Sequence, residues 1–239
     1  MNTIHVSNEK VRMVAHRGVS GLEKENTNLA FVAAGNRSYW GVETDVHCTS
    51  DGNFIIFHDD HTTRMTGIER VVEETDFETL RSMPLYDIDG TLGRVDLRMP
   101  SLQEYFRICK KYEKVCVLEL KNHMQEEQVH RIMKIAEEEY ALEQIVFISF
   151  DFENLVFVRN YKPTQKVQFL FKDFTEEIIE KVCEHHFDVD VYYKSVTKEV
   201  LDRLHALGIE VNCWTVNDEE CGKQLIEWGI DYITSNILE

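Results

Sequence analysis

Eight short runs rich in β-branched and aromatic residues recur along the chain, separated mostly by stretches of helical period. The runs are Arg12–His16, Val42–His47, Val115–Lys121, Ile145–Phe150, Val167–Phe171, Val189–Tyr192, Glu210–Thr215 and Tyr232–Thr234. Between them the apolar spacing changes to that of a helix. In EEQVHRIMKIAEEEY, Val129, Ile132, Met133, Ala136 and Tyr140 follow i, i+3, i+4, i+7. Val200, Leu201, Leu204 and Leu207 repeat the pattern, and Gly208 stops that helix. Ser101-x-x-Glu104 after Pro100 reads as a capping box opening another helix. Strands alternating with helices need a parallel sheet. Strand count and length favour an α/β (β/α)8 barrel over a doubly wound open sheet. No G-x-G-x-x-G follows a strand, so a dinucleotide site has no support.

The chain of 239 residues is long enough for one such barrel with a sizeable core. Residues 1–239 read as one catalytic domain. Residues 60–99 break the rhythm and are too long for an ordinary loop. They hold a turn at Thr66-Gly67, a Thr75-x-x-Glu78 capping box and the stretch YDIDGTLG. They read as a small insertion over one end of the barrel.

Bulk charge excludes several partners. The net charge of −17 argues against nucleic acid and anionic membrane, so an anionic ligand needs a local positive site. The six cysteines form no C-x-x-C and no zinc spacing, and are expected as buried free thiols. MNTIHVSNEK has no apolar secretory core, and no apolar run reaches about 18 residues. A cytoplasmic enzyme with no stable membrane insertion is the expectation.

The second strand carries the chemistry. In VETDVHCTSDGNFIIFHDD, Glu43, Asp45 and His47 share one face of a strand. Asp51-Gly52 signals a two-residue hairpin loop. With that loop Ser50 faces Asn53, Thr49 faces Phe54 and Asp45 faces His58, with opposed side chains about 5 Å apart. In a barrel the site lies at the C-terminal strand ends. There the first strand ends in VAHRG with His16 and Arg17, the third in LELKN with Glu119 and Lys121, and the seventh in CWTVN with Trp214. Glu43, Asp45 and Glu119 are three hard oxygen ligands, suited to Mg²⁺ or Ca²⁺. Without a cation they would repel one another. His16 and His58 titrate in the range for an acid and a base. Arg17 and Lys121 suit a phosphate. Together these describe displacement at a phosphodiester.

The segments VAHRGVSGLEKENTNLAF, GVETDVHCTSDGNFIIFHDD, LELK, NCWTVN and GIDYITSN resemble, in order, the motifs of the glycerophosphodiester phosphodiesterase family. The resemblance spans nearly the whole chain. It implies a TIM barrel with an insertion after the HD motif. It also implies a divalent-metal hydrolase that splits glycerophosphodiesters into glycerol 3-phosphate and an alcohol. It assigns His16 and His58 to the acid/base pair, and Glu43, Asp45 and Glu119 to the metal. Arg17 and Lys121 fall to the phosphate, and Trp214 to the glycerol end. Two departures stand out: Lys24 where the family has proline, and Ser235 and Asn236 where its last motif carries aspartate and proline. A lysophospholipase D-like activity on the same fold is an alternative. It would need a greasy path past Ile68, Val71, Val72, Phe77, Leu80, Met83 and Leu85. A non-catalytic barrel that binds phosphorylated ligands is a third reading, disfavoured by the intact set of acids, histidines and cations.

Overall fold

A computed structural model describes residues 2–6 and 10–239. Its strands are β1 (Arg12–Ala15), β2 (Gly41–Cys48), β3 (Phe54–Ile56), β4 (Val115–Leu120), β5 (Ile145–Ser149), β6 (Val167–Phe171), β7 (Asp188–Tyr192), β8 (Val211–Trp214) and β9 (Tyr232–Ser235). All except β3 pair in parallel. β1 pairs with β9 through Arg12 and Tyr232 and with β2 through Val14 and Gly41, which closes an eight-stranded barrel. Each of the eight expected strands ends within one residue of its expected limits.

The helices are α1 (Asn28–Gly35), α2 (Thr63–Thr66), α3 (Phe77–Ser82), α4 (Leu102–Lys111), α5 (Glu126–Glu139), α6 (Phe152–Tyr161), α7 (Glu176–His185), α8 (Lys198–Ala206) and α9 (Glu219–Trp228). α5 buries Val129, Ile132, Met133 and Ala136 against the barrel, as its period requires. Ser101 and Glu104 cap α4 reciprocally. Gly208 follows α8 with φ +76°, the left-handed position that glycine takes without steric cost. α8 buries Leu201 and Leu204, while Leu207 at its end is half-exposed. The core between barrel and helices is one continuous cluster running from Val11 to Leu238. All six cysteines are free; Cys183 and Cys221 are only partly buried, on α7 and α9, and the other four are buried.

Inside the barrel, alternate residues stack in layers. Val14, Val117, Val146, Ile148, Leu170 and Tyr232 form the apolar interior. Below them, at the N-terminal ends of the strands, charged groups meet. Arg12 donates to Glu210 at 3.0 Å, Tyr232 donates to the same carboxylate at 2.7 Å, and Lys166 pairs with it too. The Arg12 guanidinium lies 4.5 Å from the Tyr232 ring centre.

Two local expectations are corrected. The hairpin pairs Val46 with Ile56, His47 with Ile55 and Cys48 with Phe54, one residue off the expected register. The loop has three residues, closed by Thr49 N–H to Asn53 O at 2.9 Å, with Gly52 at φ +78°. Asp51 takes hydrogen bonds from Thr49 Oγ1 and Asn53 Nδ2, which favours the longer turn. Asp45 therefore does not face His58 in the ladder, which ends where Phe57 N–H reaches Asp45 O at 3.1 Å. In the insertion, Asp76 rather than Thr75 caps α3, accepting from Thr79 N–H; the Thr75 hydroxyl instead donates to Val71 O.

The insertion has its own small core of Ile55, Phe57, Met65, Val72, Leu80, Met83, Leu85, Leu97 and Met99. Val72, Leu80, Met83 and Leu85 are thus internal, and of the residues expected along a greasy path only Ile68 is exposed. Among the described residues, no helix is long and apolar enough to cross a membrane.

Candidate active site

Glu43 and Asp45 point inward from β2 and Glu119 from β4, where the register sets Asp45 beside Glu119. One carboxylate oxygen from each lies within 4.8 Å of the others, and all three residues are buried. His16, Arg17, Glu43, His58, Glu119 and Trp214 line one small cavity of about 60 Å³ at the C-terminal strand ends. Asp45 and Lys121 lie at its edge, with Lys121 Nζ 2.8 Å from Glu119 Oε1 and 3.5 Å from Asp45 Oδ1. All eight expected site residues therefore gather at one end of the barrel.

Sharp turns deliver them. After β1 the chain passes through Arg17 at φ +53° and Gly18 at φ +75°. A Cβ on Gly18 would lie 2.6 Å from that of Ala30, so only glycine fits this approach to α1. The turn aims Arg17 N–H at Glu43 Oε2, 2.7 Å away. Asn26, also at positive φ, donates to Asp45 Oδ2 at 2.8 Å and accepts from Thr44 Oγ1 at 2.7 Å. Thr27 still caps α1, so Lys24 in place of proline leaves the helix start intact.

The carboxylates are held at close range without enough partners. Burial and the charge of Asp45 raise the proton affinity of Glu43 well above the usual range. The same two causes push Glu119 up to about 7. Burial would raise Asp45 too, but Lys121 and Arg17 outweigh it and keep that group ionised. Asp45 Oδ1 is buried with no hydrogen-bond partner. Such an orphaned oxygen between two further carboxylates fits a hard divalent cation.

The histidines differ in their partners. His16 Nδ1 lies 2.6 Å from Asn236 Oδ1, an oxygen that Ser20 Oγ also donates to at 2.9 Å. Burial and the neighbouring Arg17 lower His16 to about 4. His58 Nδ1 lies 2.7 Å from the Asp59 carboxylate. Burial lowers His58 as well, with Asp45 pulling the other way. Arg64 grips Asp59 with Nε at 2.6 Å and Glu25 with Nη2 at 2.8 Å, and Glu25 accepts from Arg17 at 2.8 Å.

Residue-by-residue reading gives Glu25, Asn26, Asp59 and Arg64 no place in the site, and marks Asn236 only as a departure at the substrate end. Their signal was present in part, since Glu25 and Asn26 sit in the quoted ENT and Asp59 in the HD. His47, the next residue on that face of β2, is fully buried and pairs with Glu73 at 2.9 Å rather than joining the three carboxylates. His61 and His123 are exposed. Phe150 and Trp214 meet edge to face at 5.6 Å on the wall of the cavity.

Comparison with known proteins agrees with this geometry. The sequence model of the Glycerophosphoryl diester phosphodiesterase family matches residues 16–238. A glycerophosphodiester phosphodiesterase of Bacillus altitudinis is 27% identical over 93% of each chain. The uncharacterized protein YqiK of Bacillus subtilis is 25% identical over 92% of each. An Oleispira antarctica phosphodiesterase, solved in complex with the product sn-glycerol-3-phosphate, superposes with a TM-score of 0.86 over 98% of this chain and 96% of that one. At 22% identity that last likeness speaks for the fold.

Proposed function

The chain belongs to the glycerophosphoryl diester phosphodiesterase family, and from that premise we propose that it hydrolyses glycerophosphodiesters to glycerol 3-phosphate and an alcohol. The reaction uses a divalent cation and the pair His16 and His58. The observation that carries this reading is the buried meeting of Glu43, Asp45 and Glu119 within 4.8 Å, in a cavity that both histidines also line. These three residues would hold Mg²⁺ or Ca²⁺. When bound, such an ion draws charge from the non-bridging phosphate oxygens and makes an attacking hydroxyl more acidic.

The chain's own groups do the rest. Arg17 and Lys121 grip the phosphate and offset the charge that grows on it. The partners of the histidines support an assignment of roles. Asn236 offers His16 Nδ1–H a neutral oxygen, which leaves Nε2 with its lone pair and gives the imidazolium little support. His16 is therefore the base: it takes the proton of the attacking hydroxyl as that oxygen bonds to phosphorus, and water supplies the oxygen that stays on the phosphate, either directly or by opening a cyclic phosphate. Asp59 offers His58 a carboxylate, which favours the imidazolium. His58 is therefore the acid: as the bond from phosphorus to the leaving oxygen breaks, that oxygen takes the His58 proton. Trp214 flanks the bound ester group.

Residues 1–239 then act as one catalytic unit with 60–99 as an insertion within it. Free cysteines suit a reducing compartment, which supports a cytoplasmic place. The test is a panel of glycerophosphodiesters and lysophospholipids assayed with and without chelator, each product identified. Chelator-sensitive release of glycerol 3-phosphate from the glycerophosphodiesters is expected. Chelator-insensitive turnover, or turnover of lysophospholipids alone, would overturn the reading.

A further inference from the structure

Beyond the acids, histidines and cations, the same cavity contains one polar group with no task. Asp190 projects inward from β7, between Leu170 on β6 and Asn212 on β8 in the register. It is 1% exposed, yet its side chain lines the cavity together with Ile148, Leu170, Trp214 and Thr234. Its Oδ1 has no hydrogen-bond partner. The polar neighbours bond to one another rather than to it: Asn212 Nδ2 donates to Gln168 at 3.3 Å, and Thr234 Oγ1 donates to Asn212 Oδ1 at 3.2 Å. Trp214 Nε1 donates to the Asp190 backbone oxygen rather than to its side chain.

A buried polar group without a partner costs stability. Apolar residues of the same size would fill the barrel more cheaply, as Ile148 and Leu170 already do on the neighbouring strands. A carboxyl here is accounted for when a ligand supplies the missing partner. We propose that Asp190 is a substrate-binding residue, which hydrogen-bonds a hydroxyl of the ester substituent that lies against Trp214 and so selects a polyol there over a plain alkyl group. A hydroxyl fits better than a cation. Burial, reinforced by the nearby charge of Glu119, favours the protonated carboxyl, which donates as well as accepts. The inference deepens the phosphodiesterase reading and rests on it for the position of the phosphate.

The test measures binding, so that it does not depend on turnover. Titration calorimetry of the full chain in Mg²⁺ compares sn-glycerol 3-phosphate with n-propyl phosphate, the same skeleton without hydroxyls. The wild type should prefer glycerol 3-phosphate about tenfold or more, the worth of one hydrogen bond in a dry site. Asp190→Leu should abolish that preference, leave propyl phosphate binding unchanged and melt at or above the wild-type temperature. Asp190→Asn, which keeps a donor and an acceptor, should retain most of the preference. The proposal is overturned if Asp190→Leu keeps the preference or weakens both ligands equally, or if the wild type does not bind glycerol 3-phosphate. It is overturned as well if phosphoethanolamine, carrying an ammonium, is the ligand that Asp190→Asn loses. Preference that depends on Asp190 in a protein that turns over no glycerophosphodiester would sink the proposed function and leave this inference standing.

Discussion

The two ends of the barrel are both built from charged side chains, and they are arranged on opposite principles. At the N-terminal end, one carboxylate, Glu210, is surrounded by Arg12, Lys166 and the Tyr232 hydroxyl. Burial alone would raise its proton affinity, but Lys166, Tyr232 and Arg12 outweigh that and hold it at about 2. At the C-terminal end, three carboxylates converge, two of them with raised proton affinity, and one oxygen is left without a hydrogen-bond partner. Glu210 is saturated with partners, so it ties the strands together at that end. The upper cluster is unsaturated, so it is prepared for something that the protein itself does not supply. Unmet electrostatic demand, rather than charge itself, separates a site from a plug.

The largest expected effect removes the upper demand. His58→Ala or Glu43→Gln should lower kcat/KM by about a thousandfold or more in a diester assay. Glu43→Gln should at the same time melt no lower than the wild type in chelator, because it relieves repulsion among buried acids. A parallel fall in melting temperature would mean that the upper cluster is structural, and the contrast between the ends would collapse.

A pH series comes next, because the two ends should respond with opposite sign. Glu119 is raised from 4.5 to about 7, so its acid form stabilises the fold. That contribution is complete below pH 4.5 and is lost as the pH rises through about 7. Glu210 is lowered from 4.5 to about 2, so its contribution is present above 4.5 and lost as the pH falls through about 2. In chelator, the melting temperature of the wild type should drop between pH 4.5 and 8 relative to Glu119→Gln. Added Mg²⁺ or Ca²⁺ should recover the difference, and more of it at the higher pH. Equal melting curves for both proteins across this range would refute the upper half of the comparison.

Asn236→Asp should give a smaller effect. A carboxylate at His16 Nδ1 stabilises the imidazolium, so the acidic limb of kcat/KM should move upward by about one pH unit with little loss at its plateau. An unmoved limb would remove His16 from the role of base. The smallest effect belongs to the plug. Glu210→Gln should leave kcat/KM within about twofold and cost about 1 kcal/mol or less by denaturant titration, since the cluster is half-exposed.

The barrel was legible in the chain because each strand announces itself within a few residues, and so was the meeting of the eight expected residues, which sit at strand ends that topology gathers. What escaped was relational. His16 and Asn236 are 220 residues apart, and nothing local to either announces their bond. The hairpin register turned on Asp51, whose side chain bonds to Thr49 and Asn53 favour a three-residue loop over the shorter one that Asp-Gly suggests. His58 reaches the cavity although its ladder partner was misjudged, because the chain leaves the sheet after Phe57 and is then steered by Asp59 and Arg64. Asp190 carries no local signal, because one acid in an apolar strand looks like any other until its neighbours prove to bond elsewhere.

Arg64 has a wider consequence. It stands in the first short helix of the insertion, and its guanidinium is the clasp between the loop that carries Arg17 and the loop that carries His58. The exposed ribbon around Ile88, Leu92 and Val95 lies outside the insertion's core and can be redrawn at little cost to the reaction. A lineage could lengthen, shorten or exchange that ribbon and so fit a new headgroup. The constraint on such remodelling falls on Arg64 and on the small core that seats its helix.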